Sequence, residues 1–411
     1  MKLIIKADRI IDGLGKKPIE KAAVLVENGR IKAVDTQAKL SAASEGAEVI
    51  NAAGGSIVPG FIEAHSHMHC ASGADAYDVL MSDDHDTLIM RSAKAVRAAL
   101  LSGVTTMRDL GSKNEVALPI KRAVQKGVMP GPRLLVAGTP LTTTAGHCWM
   151  FGTIADTKEE LVTAVRRQVM LGADCIKIMS TGGNFTPRSN TRRAQYSAET
   201  LAAAVQDAER LGVRVSAHCH GAEGVRNCVE AGVHNLIHCT WLSADPSKTY
   251  DYDVRVVDTM AKKGLYVDPT IALGPRRQEV DPDADVFKHG GGFADMDRRH
   301  EILRDMWDRG VKFVTGLDAG MHMGDFGTHA YVPQFMVEKM GISPMDAIVS
   351  NTRTTAECLG VLGETGTLQP GKSADIVVVD GDPSKDITML HRVSTVVGQG
   401  RLVKREGKAL V

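Results

Sequence analysis

One pattern recurs through the middle of this 411-residue chain and restricts the folds open to it. A glycine ends a helical stretch and a short apolar strand begins at once. Gly103-Val104 leads into Thr105-Thr106-Met107-Arg108-Asp109, and Gly172-Ala173 into Cys175-Ile176-Lys177-Ile178-Met179. Gly212-Val213 leads into Arg214-Val215-Ser216-Ala217-His218. Gly232-Val233, Gly264-Leu265 and Gly310-Val311 open three more strands, reaching His238, Thr270 and Asp318. Glycine suits the left-handed residue that closes a helix. The helices are legible too. Thr157-Lys158-Glu159-Glu160 is a capping box, with Leu161, Val165 and Val169 spaced by four behind it. Ser197 caps a helix with Leu201, Val205, Ala208 and Leu211 on one face. Residues 57–65 and 133–138 complete a set of eight strands alternating with helices. Over roughly 300 residues this is the arithmetic of an α/β chain forming a (β/α)8 TIM barrel.

The chain ends have a different texture. Residues 3–11, 22–26 and 31–34 read as strands, and Asn28-Gly29 is a hairpin turn. The tail is similarly β-rich, with Ile376-Val377-Val378-Val379 and then Val393 to Val397. Each end alone is too small to bury a core. The expectation is one small β-sandwich built from residues 1–56 plus 364–411, beside a barrel of residues 57–363.

In a (β/α)8 barrel the chemistry sits at the C-terminal ends of the strands. Those ends carry His65 and His67, Asp109, Lys177, His218 with His220, His238, Thr270 and Asp318. His65 and His67 are two apart, so they point the same way from their strand. Imidazole and carboxylate donors suit zinc or another first-row divalent ion. His65, His67, His218, His238 and Asp318 exceed one tetrahedral set. Either two metals bind, or some of these residues orient ligands or do catalysis. Lys177 lies among apolar neighbours, where an unpaired ammonium is costly. It is either ion-paired with a carboxylate or carbamylated, in which form it would bridge two metals.

Lys plus Arg and Asp plus Glu are 49 each, so net charge makes no case for nucleic acid or a membrane surface. No apolar run approaches the roughly 20 residues of a membrane span. The seven scattered cysteines, without a C-x-x-C pair, read as free thiols of a cytoplasmic protein.

With these residues in place, the chain resembles the amidohydrolase superfamily, nearest to the imidazolonepropionase-like and prolidase-like group. The likeness runs end to end. It rests on Pro59-Gly60-Phe61-Ile62-Glu63-Ala64-His65-Ser66-His67, Ile176-Lys177-Ile178-Met179-Ser180-Thr181-Gly182-Gly183, Ala217-His218-Cys219-His220-Gly221 and Leu236-Ile237-His238. Thr315-Gly316-Leu317-Asp318 and the tail Leu368-Gln369-Pro370-Gly371-Lys372-Ser373-Ala374-Asp375 complete it. The resemblance implies that His65, His67 and Asp318 bind the more buried metal. It implies that an N-carboxylated Lys177 bridges to a second metal on His218 and His238, and that Asp318 is general base and acid. It also implies a homo-oligomer. Glu63 departs from the usual Asp, Ile237 from the usual Glu. The segment Thr142-Thr143-Thr144-Ala145-Gly146-His147-Cys148-Trp149-Met150-Phe151-Gly152 departs from the Gly-His-Gly form of the dipeptidases.

The expected chemistry is hydrolysis of a carbonyl C–N bond in a small amide: an N-acyl amino acid, dipeptide, aryl amide, urea or carbamate. A metal that lowers the pKa of water supplies hydroxide at neutral pH. Asp318 moves the proton to the leaving nitrogen. His147 and His220 are candidates for oxyanion stabilisation or substrate orientation. Trp149, Met150 and Phe151 read either as an apolar pocket wall or as loop packing. A cyclic amide or imidazolone is the alternative substrate, and a silent scaffold the alternative function. His69, His85, His289, His300 and His391 read as surface or local-structure histidines. His322 and His329 follow the eighth strand and are candidates to approach the site. Gly290-Gly291-Gly292 reads as a loop that could act as a lid.

Overall fold

The computed structural model describes residues 2–273, 295–321 and 324–411. His289, Gly290-Gly291-Gly292 and His322 lie outside the described residues.

Both chain ends enter one sheet, in the order Lys408–Ala409, Arg401–Arg405, Val393–Gly398, Ile376–Asp380, Glu48–Pro59, Lys2–Ile10, Ile19–Glu27, Arg30–Thr36. The hydrogen bonding thus gives one continuous eight-stranded sheet where two facing sheets were expected. The N- and C-terminal segments meet where Glu48–Pro59 runs parallel to Lys2–Ile10 and antiparallel to Ile376–Asp380. Leu3, Ile5, Val24, Ile57, Ile376 and Val378 form its core. Asn28 and Gly29 have φ of 51° and 78°, and Glu27 pairs with Arg30. That is the two-residue turn whose twist matches the flanking strands.

The run read as one strand over 57–65 is two. Ile57 to Pro59 ends the terminal sheet, and Phe61–Ser66 starts the next. Gly60 makes the break: its amide donates to the Asp375 carbonyl at 2.9 Å. A Cβ there would lie 2.0 Å from the Thr105 hydroxyl.

The eight expected strands fall in two parallel sheets. One holds β1 (Phe61–Ser66), β2 (Val104–Asp109) and β3 (Arg133–Val136). The other holds β4 (Cys175–Met179), β5 (Arg214–Gly221), β6 (Asn235–Leu242), β7 (Tyr266–Asp268) and β8 (Lys312–Phe313), with short strands Leu141–Thr142 and Thr153–Ile154 beside β4. Backbone bonds cross both gaps. The Asp174 amide donates to the Val136 carbonyl at 2.8 Å, and the Ala64 amide to the Thr315 carbonyl at 2.9 Å. All six glycines of the repeating pattern have positive φ, from 66° at Gly264 to 102° at Gly103.

The helices cover the sheets as their patterns require. Lys158–Leu171 carries the complete capping box on Thr157 and Glu160 and buries Leu161 and Val165. Ser197 caps Ala198–Arg210, which buries Leu201, Ala204, Val205 and Ala208. Burying each such Leu or Val contributes about 1.5–3 kcal/mol. Among the described residues no helix is long and apolar enough to cross a membrane.

Candidate active site

The strand ends converge as expected. His65 lies within β1 and His67 just beyond it, Lys177 within β4, His218 and His220 in β5, His238 in β6, and Asp318 five residues after β8. All seven are buried. His238, Thr270 and Asp318 have φ of 65°, 46° and 61°, a region that costs non-glycine residues about 1–3 kcal/mol each. The left-handed backbone lies within β6 at His238, two residues past β7 at Thr270 and five past β8 at Asp318.

Hydrogen bonds behind the imidazoles decide which nitrogen of each faces that point. His67 Nδ1 is 2.8 Å from the Gly111 carbonyl, and His218 Nε2 is 3.0 Å from the Gly182 carbonyl. A carbonyl accepts only, so each of those nitrogens carries its proton. His65 Nδ1 donates to Asp268 Oδ2 at 3.0 Å. The Thr270 hydroxyl donates to the Pro269 carbonyl, so at 2.8 Å it accepts from His238 Nδ1. The lone pairs left over are His65 Nε2, His67 Nε2, His238 Nε2 and His218 Nδ1.

Two groups of donors result. Asp318 Oδ1 lies 3.2 Å from His65 Nε2 and 3.4 Å from His67 Nε2. An imidazole lone pair facing a carboxylate oxygen at that distance is repulsive unless a cation lies between them. Two ligands about 2.0–2.2 Å from one tetrahedral zinc stand roughly 3.3–3.6 Å apart. The residues therefore fit a divalent metal. The second group is His218, His220 and His238. His220, read in sequence as catalytic rather than as a ligand, stands with them; its ring stacks on His238 at 4.4 Å and its Nδ1 is 2.8 Å from the Thr240 hydroxyl. Lys177 Nζ lies 3.3 Å from His65 Nε2.

Burial sets the protonation states. It pushes His67 and His220 down to about 3 and lowers His65, His147, His218 and His238, with neighbouring cations adding to the effect. Neutral imidazoles are the form that binds metal. Burial also brings Lys177 down to about 8, against the pull of Asp318.

Carboxylates that no sequence motif announces hold the ligands in place. Asp268, at the end of β7, orients His65. Burial and the neighbouring Glu63 charge push its carboxyl up to about 7. Asp109 accepts from the amides of Met68 and Gly111 at 2.8 and 3.0 Å. It thereby fixes the Gly111 carbonyl that holds His67. Glu63 accepts from the amides of His65 at 2.8 Å and Leu317 at 3.0 Å, and from His329 Nδ1 at 2.7 Å. The only sequence signals were an aspartate at a strand end and a departure from a family pattern.

The loop after β3 divides. His147 is 5% exposed and its ring lies 4.4 Å from that of His218; its Nδ1 is buried with no hydrogen-bond partner among the described residues. Phe151 is buried, edge-on to His67 at 6.3 Å and His69 at 5.2 Å. Trp149 is 47% exposed and forms no such wall. His69, read as a surface or local histidine, is fully buried against Phe151. His300 is buried too, while His85 and His391 are exposed. Arg192 is engaged by the carbonyls of Ser243 and Lys248, leaving Arg188 and Arg193 exposed.

The family model for the amidohydrolase family matches residues 56–403. The chain belongs to the amidohydrolase family. It is 27% identical to an ochratoxinase of Aspergillus niger, over 98% of this chain and 87% of that protein. It is 25% identical to an imidazolonepropionase of Mesorhizobium japonicum, over 90% and 88%. Among solved structures, a Xaa-Pro dipeptidase with bound methionine superposes with a TM-score of 0.87 at 26% identity, over 98% of this chain and 100% of that one. This amidohydrolase is accordingly a hydrolytic enzyme acting on C–N bonds.

Proposed function

We propose that the protein hydrolyses the carbonyl C–N bond of a small N-acyl amino acid, dipeptide or aryl amide at a centre of one or two zinc-like divalent ions. The observation that carries this is the convergence of His65 Nε2, His67 Nε2 and Asp318 Oδ1 beside Lys177, with His218 and His238 opposite. The eight parallel strands are read as one closed (β/α)8 barrel of residues 57–363, supported by the backbone bonds across both sheet gaps. Residues 1–56 plus 364–411 form the small domain. Seven buried free thiols support a cytoplasmic setting.

His65, His67 and Asp318 would hold one ion, and His218 with His238 a second. Lys177 would join the two sets if its amine adds to carbon dioxide, releasing one proton to form a carbamate. A divalent ion held there would supply Lewis acidity toward the substrate carbonyl and toward water. Asp318 accepts a proton from the attacking water and delivers it to the leaving nitrogen. His147 Nδ1, buried and without a partner among the described residues, is positioned to hold the substrate carbonyl or a substrate carboxylate. Phe151 supplies an apolar wall on the His67 side. The strained backbone at His238 and Asp318 keeps these groups fixed before substrate arrives. The name Xaa-Pro dipeptidase, with its bound methionine, supports a dipeptide or other acylated amino acid. A cyclic amide is the second reading, on the imidazolonepropionase relatives.

The test is a screen of the metal-loaded protein against N-acyl amino acids, dipeptides, aryl amides, ureas, carbamates and lactams, before and after chelation. Turnover of an acyclic amide that chelation abolishes is the expected result. Turnover unaffected by chelation, with no metal in the purified protein, would refute the reading.

A further inference from the structure

Three elements far apart in the chain meet behind the His65–Asp318 pair. Glu63 lies in β1, two residues before His65. His329 lies eleven residues after Asp318. Asn351 lies in the π-helical turn Ser350–Thr354. Glu63 Oε1 accepts from the amide of His65 at 2.8 Å and from that of Leu317 at 3.0 Å. Its Oε2 accepts from Leu317 at 3.2 Å and from His329 Nδ1 at 2.7 Å. The far nitrogen of the same ring, His329 Nε2, is 2.7 Å from Asn351 Oδ1. Glu63, His329 and Asn351 are each at most 2% exposed.

The geometry has a specific consequence. β1 and the segment after β8 are not held together at this level by strand pairing alone. A side-chain carboxylate spans them, and it grips the amide of one metal-site residue and the amide next to another. Its own direction is fixed by His329, and His329 is fixed by the wide turn. That turn has its own reason to exist. Thr355 Oγ1 donates to the Ser350 carbonyl and accepts from the Thr315 amide at 3.1 Å, so the turn is stitched to the backbone just before Asp318. π-helical turns interrupt helices where a local geometry is required that the regular helix does not provide.

We propose that Glu63, His329 and Asn351 form a positioning relay that sets the spacing between His65 and Asp318 and so the tightness of the more buried metal position. The proposal rests on the metal-centre reading above. None of the three touches substrate. The longer side chain at position 63 is what reaches both amides and the histidine ring together.

Two variants test it, Glu63→Gln and His329→Gln. Glutamine at 63 presents an amide nitrogen where an amide donor or His329 now donates. Glutamine at 329 keeps one donor for Glu63 and loses the rigid link to Asn351. Hydrogen exchange of the metal-free proteins is followed by mass spectrometry on peptides spanning 61–68 and 314–320. Metal retention is followed separately by transfer to a chromogenic chelator. The expected result is faster exchange confined to those two peptides in Glu63→Gln, with a smaller change in the same peptides for His329→Gln. Metal affinity should fall about 10- to 100-fold in Glu63→Gln, as is usual when the partner of a ligand is removed. Should Glu63→Gln fail to fold, the His329→Gln pattern decides. Unchanged exchange in both peptides, with metal affinity within twofold of wild type, would overturn the relay. The exchange measurement needs no metal, and failure of wild-type protein to bind metal would instead refute the metal-centre reading.

Discussion

Replacing Asp268 with asparagine should separate metal affinity from fold stability. Asp268 and Glu63 crowd two carboxylates into the space between β1, β7 and the turn after β8. Asp268 Oδ2 holds His65 Nδ1 at 3.0 Å while its Oδ1 accepts from the Thr270 amide at 3.1 Å. Asparagine is nearly the same shape but has one acceptor. If its oxygen keeps the Thr270 amide, its nitrogen faces His65 and forces the proton onto Nε2. Nε2 is the atom that faces Asp318 at 3.2 Å. A protonated nitrogen cannot be a ligand. The expected loss is about 10- to 100-fold in metal affinity, or roughly 1.4–2.7 kcal/mol. The metal-free fold should not suffer equally, because the change removes a buried negative charge beside Glu63 and Asp318. The assay is competition with a chromogenic chelator, paired with denaturant unfolding of metal-free protein. Metal affinity within threefold of wild type would refute the argument that Asp268 selects the His65 tautomer. Equal losses in affinity and in metal-free stability would show that Asp268 is structural only.

Four further outcomes are expected. Asp318→Asn should fold normally and lose about 10²- to 10⁴-fold in turnover; undiminished activity in a steady-state assay would remove Asp318 from proton transfer. His329 has its pKa raised above 6.5: burial lowers it, and the Glu63 charge, the Glu63 hydrogen bond and Asn351 more than reverse this. A raised value means that its stabilisation is full below pH 6.5 and fades as pH rises through the folded value. The melting-temperature advantage of metal-free wild type over His329→Gln should therefore shrink as pH rises above 6.5 through the folded value, and a constant advantage would contradict it. Phe151→Ala should cost about 3–5 kcal/mol in denaturant unfolding, whereas exposed Trp149→Ala should stay within about 0.5 kcal/mol. Metal uptake by wild type should rise with added bicarbonate and that of Lys177→Met should not, measured by metal content after gel filtration; equal responses would argue against a carboxylated lysine.

The alternation of strand and helix is written locally in the amino-acid sequence. Glycines at helix ends, the capping box at Thr157 and the strand-end histidines are local signals, written in residues three or four apart. They mark the strands and set His65, His67, Lys177, His218, His238 and Asp318 in or shortly after them. The Asn28-Gly29 turn was legible for the same reason. Contacts between residues far apart in sequence leave no such local signal. The strand over 57–65 was broken by Gly60, because the space for a Cβ is taken by Thr105, 45 positions away. Trp149 and Phe151 look alike in sequence, yet one is exposed and the other packs on His67.

Tertiary structure alone decided the rest. Which nitrogen of each imidazole faces the centre depends on Asp268, Gly111, Gly182 and Thr270, none of them near its histidine in sequence. His69 was read as peripheral and is buried. Glu63 and His329, 266 positions apart, act on one another only because β1 and the segment after β8 are neighbours in space. Alternation along a strand can say that a histidine points inward. Only the packed neighbours can say which way its proton points, and that decides whether it can bind a metal.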